Sequence, residues 1–147
     1  MANKFKFRLE KVREYKTQLK KESELELVQR NNQLLTESEK MAAILHSQDN
    51  ATLPSEGVMS MAELMLNKEY HQFLQEALVE QRLQVEAATQ AVEEAMEIYT
   101  EKAKEVKTLD VLKAKRKEEF DTEKSKEEKK TSDKLVVMRH RFNKPDI

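Results

Sequence analysis

From residue 1 to residue 53, and again from residue 58 to residue 144, the chain contains neither glycine nor proline. The only glycine, Gly57, and one of the two prolines, Pro54, fall together in the stretch from Ser47 to Gly57; the other, Pro145, is two residues from the end. Proline removes a backbone donor and blocks helix, and glycine relaxes the backbone where a turn needs it. A chain punctuated this way has room for one interior interruption. Two long helices are therefore expected, over about 5–46 and 60–141, joined by residues 47–59 and followed by a short tail, 142–147. Ser60-Met61-Ala62-Glu63 fits a capping box at the second start. Its hydroxyl would take one free backbone N–H, and its carboxylate would reach back to another.

Periodicity supports both helices. Alternate steps of four and three residues from Leu74 reach Leu78, Gln81, Val85, Ala88, Val92, Ala95, Tyr99, Lys102, Val106, Leu109, Lys113, Arg116 and Phe120. Ten of these fourteen positions are apolar. That spacing is a coiled-coil seam. In the first helix Phe5, Leu9, Val12, Lys16 and Leu19 follow it. Leu27, Asn31, Leu34, Ser38, Met41 and Leu45 follow it again one residue out of register, which predicts a slip around Ser23. The fold class is thus all-α, a single antiparallel coiled-coil hairpin. Setting residue 46 opposite residue 60 puts Leu9 near Glu97. The longer second helix then overhangs beyond about Lys102, with Leu109, Leu112 and Phe120 uncovered.

Charged residues make up 37% of the chain, and their distribution is uneven. Residues 1–21 hold eight Lys/Arg and two Asp/Glu; residues 22–101 hold four against sixteen; residues 102–117 hold seven against two. On the hairpin both basic blocks fall at the open end and the acidic block at the loop end. The formal net charge is -1, so no global basic field favours nucleic acid. No apolar run approaches the ~18 residues of a membrane span, and the N-terminus has no apolar core of a secretory signal. The absence of cysteine excludes disulfides and thiolate metal sites. His46, His71 and His140 form no metal-ligand spacing. A two-helix hairpin offers no enclosed pocket for catalysis. No enzyme activity, cofactor or metal is expected.

Binding surfaces are the better candidates. Phe5, Phe7, Arg8, Leu9 and Lys11 make a basic amphipathic start. Phe5 and Phe7 cannot share one narrow helical stripe, so at least one is expected to face a partner, with seam packing and a membrane surface as alternatives. Met61 and Met65 beside the loop fit either packing at the tip or an adaptable surface. Tyr70, Phe73 and Leu74 fit packing against residues near 32–36, or a contact face. The uncovered stretch from Leu109 to Phe120 marks a partner or oligomer site. Residues 121–134 are wholly polar, and Val136, Val137, Met138 and Phe142 then return as an apolar patch.

The ends of the chain carry a resemblance. Phe5-Lys6-Phe7-Arg8-Leu9-Glu10-Lys11-Val12 is similar to the F-x-F-R-L-[DE]-x-[LV] opening of the FliJ family of flagellar type III export proteins. Leu112 to Phe120 resembles the family's basic L-x-x-[KR]-[KR] segment, and Tyr70-His71-Gln72-Phe73 its Y-x-x-F motif. Arg139-His140-Arg141-Phe142 resembles its basic-aromatic end; the acidic pair expected near residue 133 is a single Asp133. The resemblance implies a non-enzymatic protein of the cytoplasm, peripheral at the inner membrane. It would join a hexameric FliI-like export ATPase, with its FliH-like regulator, to a FlhA-like export gate, and escort export chaperones. By this likeness Phe5, Phe7, Arg8, Leu9, Lys11, Leu109, Leu112, Arg116, Phe120, Met138 and Phe142 would meet the ATPase. Met61, Met65, Tyr70, Phe73 and Leu74 would meet the gate and chaperones. The alternatives are a stalk subunit of another secretion or rotary ATPase, and a structural coiled coil that homodimerises through the overhang.

Overall fold

The computed structural model describes residues 4–51 and 60–143. The expected interruption at Pro54 and Gly57, and residues 144–147, lie outside the described residues. Within them the fold is all-α: α1, Glu10–Asn50, has 41 residues and α2, Met61–Phe142, has 82. α2 packs antiparallel against α1.

The second start forms as its residues dictate. Ser60 Oγ accepts from the Glu63 N–H at 3.2 Å, and the Glu63 carboxylate accepts from the Ser60 N–H at 3.4 Å. The capping box is complete. At the other end Arg139 and Arg141 occupy the last turn, where cations suit the helix dipole. The polar run 121–134 is helical throughout and exposed on every side. Glu and Lys are good helix formers and nothing interrupts them.

α1 begins at Glu10, later than the seam phasing predicts. The Glu10 N–H donates to the Phe7 carbonyl at 3.1 Å, closing a turn over Arg8 and Leu9. Lys4–Phe7 precede any helix. Phe5 and Phe7 therefore need not share a helical stripe at all.

The chain divides into two compact units, residues 19–102 and residues 1–18 with 103–147. In the first, Leu27, Leu74, Leu78, Ala88 and Ala95 are buried, the α2 members on the expected seam. Gln81, a polar seam residue, donates through Nε2 to the Glu37 carbonyl at 2.9 Å and to its carboxylate at 2.6 Å. Glu37 thus faces residue 81, where flush helix ends would have set it against residue 69. The helices are slid by twelve residues, ~18 Å at 1.5 Å per residue. The expected slip around Ser23 is absent. Lys20, Ser23 and Leu27 keep one regular spacing on the covered side, and Leu34, Glu37, Met41 and Ile44 continue it. Asn31, Ser38 and Leu45, expected in the seam, are exposed. Ser23 satisfies its hydroxyl on the Leu19 carbonyl at 2.8 Å.

In the other unit Val106 is buried at 6% exposure, and Leu109, Leu112 and Phe120 are half-buried. Glu10 pairs with Lys113, Arg13 with Asp110 and Lys16 with Glu105. The expectation that α2 is uncovered beyond Lys102 is therefore overturned. Within this unit the Lys4–Leu9 segment lies against Leu112 and Phe120. Residues 121–142 of α2 form its longest unbroken exposed run.

Candidate interaction surfaces

The first surface grows from six residues, Lys4-Phe5-Lys6-Phe7-Arg8-Leu9. Phe5, Phe7 and Leu9 are half-buried, whereas Lys4, Lys6 and Arg8 are exposed. Over Lys4–Phe7, ahead of the turn at Arg8 and Leu9, a period of two is the signature of extended backbone, whose successive side chains point to opposite sides. The segment lies along α2 with its apolar side down. The Phe5 ring meets the Phe120 ring at 5.6 Å between centroids, tilted by 50°. An open crevice of about 1190 Å³ remains between the segment and α2, bordered by Leu112, Arg116, Phe120 and Glu123.

Behind it the three cross-helix ion pairs hold α1 to α2. The Lys113 ammonium lies 2.9 Å from Glu10 Oε2, and the Lys16 ammonium 3.1 Å from Glu105 Oε2. Both of those carboxylate oxygens are shielded from water. The hydrogen bond from Lys113 pulls the Glu10 carboxyl below its ordinary value, helped by the charges of Lys113 and Arg13 and opposed by partial desolvation. The Asp110 carboxylate, through its hydrogen bond and its charge, raises the Arg13 guanidinium further above its already high value. None of Arg13, Lys16, Glu105, Asp110 and Lys113 is an obvious functional candidate in the sequence. Lys16 and Lys113 fall on the expected seam, and Arg13, Glu105 and Asp110 each lie one residue from it.

The candidate residues separate into three groups. Phe5, Phe7, Leu9, Leu109, Leu112 and Phe120 pack within the chain and are each half-buried. Arg8, Lys11 and Arg116 are exposed around them. Met138 and Phe142 stand on the exposed end of α2, Phe142 at 89% exposure. Leu135, Val136 and Val137 are exposed beside them. The alternation K-F-K-F-R-L was the available clue to the extended segment.

The second surface is on the start of α2, in the other unit. Met61, Met65, Tyr70 and Phe73 are exposed, as is Leu66, which the sequence reading did not single out. Leu74 is different: at 5% exposure it is a core residue of the seam, so it presents nothing to a partner. Tyr70 and Phe73 are not packed into the core near residues 32–36. The two units also differ in charge. Residues 19–102 hold seven Lys/Arg against sixteen Asp/Glu, and the other unit twenty against twelve.

Among the described residues no group of three or more His, Asp or Glu could hold a metal ion. No described helix is long and apolar enough to cross a membrane. What remains is a pair of apolar surfaces on oppositely charged units, joined to a motif-bearing N-terminus. A family model, that of the flagellar FliJ protein, matches residues 5–144. The chain belongs to the FliJ family. The FliJ match runs from the extended segment through both helices, and it relates the chain to flagellar protein export. No curated protein and no solved structure matches the chain.

Proposed function

We propose that this FliJ-family chain is a non-enzymatic adaptor of flagellar type III export. It works in the cytoplasm, peripherally at the inner membrane, coupling the export ATPase to the export gate and escorting export chaperones. The observation that carries this reading is the family match over nearly the whole chain. The basic unit is the part assigned to the ATPase, where acidic partner surface would be attracted. Its contact residues are Arg8, Lys11 and Arg116, the exposed edges of Phe5 and Phe7, and Met138 and Phe142. Leu112 and Phe120 act as the support on which Phe5 and Phe7 rest, and the half-buried Leu109 packs further along α2. The exposed Met61, Met65, Tyr70 and Phe73 are assigned to the gate and chaperones, with Leu74 packing behind them. Methionine and aromatic side chains suit a surface that must adapt to more than one partner.

The test uses purified export ATPase, with its regulator, and the soluble domain of the gate. The full chain should stimulate ATP hydrolysis. Arg8→Ala with Phe142→Ala should reduce that stimulation several-fold and leave gate binding intact. Met65→Ala with Phe73→Ala should do the reverse. Equal stimulation by all three proteins, with helicity preserved, overturns the assignment. A stable two-chain species that persists on dilution and binds neither partner would favour the homodimeric coiled coil instead.

A further inference from the structure

We infer that the crevice between the Lys4–Leu9 segment and α2 receives an acidic, extended peptide carrying one bulky apolar anchor. This deepens the reading of the basic unit as the ATPase-facing part, because it names the chemistry of the segment that docks there.

Three observations converge on that ligand. The first is the apolar floor. Phe5, Phe7, Leu112 and Phe120 are only half-buried, so each leaves apolar surface facing the crevice. One leucine- or phenylalanine-sized side chain can cover that surface, and its burial favours binding roughly in proportion to area. The second is the rim. Lys4, Lys6 and Arg8 are exposed and make no ion pair among the described residues, whereas Arg13, Lys16 and Lys113 just beyond are all paired. The unit neutralises its inner cations and leaves the outer row available. The third is spacing. Lys4 and Lys6 precede the turn at Arg8 and Leu9, and alternate residues of an extended stretch stand about 6.8 Å apart. Carboxylates at alternate positions of an extended peptide repeat at the same interval. The backbones of Lys4 and Lys6 make no hydrogen bond to the described residues, so a peptide strand alongside could pair with them.

The far lip narrows the choice of ligand. Glu123 borders the crevice on α2, and Glu119 beside it pairs with Arg116 at 3.5 Å. These carboxylates disfavour a uniformly anionic polymer, which would lie against both lips. A peptide can place its acids on the Lys4–Arg8 side and its anchor between the rings.

The experiment titrates the full chain into a dye-labelled nine-residue peptide with aspartate at alternate positions and a central leucine, read by fluorescence anisotropy. Its control replaces that leucine by alanine. The leucine peptide should bind at least about tenfold more tightly than the alanine peptide, the scale expected for one buried aliphatic side chain. Combining Lys4→Ala, Lys6→Ala and Arg8→Ala should weaken binding about tenfold or more with helicity unchanged, and should flatten its salt dependence. Equal binding of the two peptides, undiminished binding by the triple variant, or equally strong competition by inorganic polyphosphate overturns the inference. ATPase stimulation is measured in parallel. Stimulation without peptide binding sinks this inference and leaves the adaptor role standing. Peptide binding without stimulation leaves the receptor standing and removes the adaptor role.

Discussion

Phe5 rests its ring against that of Phe120, 115 residues further along the sequence, 5.6 Å away between centroids and tilted by 50°. This contact fixes where the N-terminal segment meets α2, and with it which apolar residues remain open. Tilted aromatic pairs contribute about 0.5–1.5 kcal/mol beyond the area they bury. Phe5→Ala and Phe120→Ala should each cost about 1–2 kcal/mol, less than a fully buried phenylalanine. The double variant should cost less than their sum by about the pair energy. Urea denaturation followed by circular dichroism measures the cycle. Strict additivity would mean the rings do not support each other in solution.

The Glu10–Lys113 pair predicts an acid-sensitive fastening of the start of α1. The Glu10 carboxyl lies below its ordinary value of 4.5, chiefly because Lys113 donates to it. A carboxyl depressed in the fold stabilises at any pH above its unfolded value and loses that contribution as pH falls through its folded value. Wild type should therefore melt above Glu10→Gln at neutral pH, and the gap should hold down to about 4.5 and close below it. Lys113→Met should return the Glu10 midpoint, followed by carboxyl-carbon NMR, toward its ordinary value. A gap that is constant from neutral pH to pH 2 would show that the charge pair is not its source.

How much of this was legible differs between the helices. On α2 the seam residues are mostly apolar, and the phasing from Leu74 follows the covered side to Phe120 at every position but Arg116, which is exposed. On α1 the covered positions include Arg13, Lys16, Lys20, Ser23 and Glu37. Counting apolar residues there selects Val12 and Leu45, which are exposed, and manufactures a slip at Ser23. The register was hidden for a related reason. Flush helix ends are the simplest closure, but the pairing of Glu37 with Gln81 slides α2 past the end of α1. That pairing is polar, and a hydrophobic pattern does not encode it. In the other unit the Lys4–Leu9 segment covers Leu112 and Phe120, and so moves the candidate site onto itself.

Two adjacent residues should separate packing from recognition. Leu74 is 5% exposed and Phe73 is 64% exposed. Leu74→Ala should cost about 2–4 kcal/mol, the transfer energy of the side chain plus the cavity it leaves. Phe73→Ala should change stability by less than about 0.5 kcal/mol, as exposed substitutions do. Thermal melts of the two variants give the contrast directly. A strongly destabilised Phe73→Ala would return that ring to the core and remove it from the contact surface.

Gln81 is the residue on which α1 and α2 agree their register in the acidic unit. Its Nε2 donates to both the carbonyl and the carboxylate of Glu37. Gln81→Leu alone should destabilise by about 1 kcal/mol, because the added apolar surface is outweighed by a half-buried carboxylate left without that donor. Replacing both, with Gln81→Leu and Glu37→Leu, removes the orphan and should restore or exceed wild-type stability. It should also loosen the register, since polar seam residues select one alignment at a cost in stability. The chain has no cysteine, so spin labels can be placed at Gln33→Cys and Glu86→Cys without a background. Wild type should give a single narrow inter-label distance. The double leucine variant should give a broader or displaced one at equal or greater resistance to urea. A distribution as narrow as wild type would mean that apolar packing alone sets the slide between the helices.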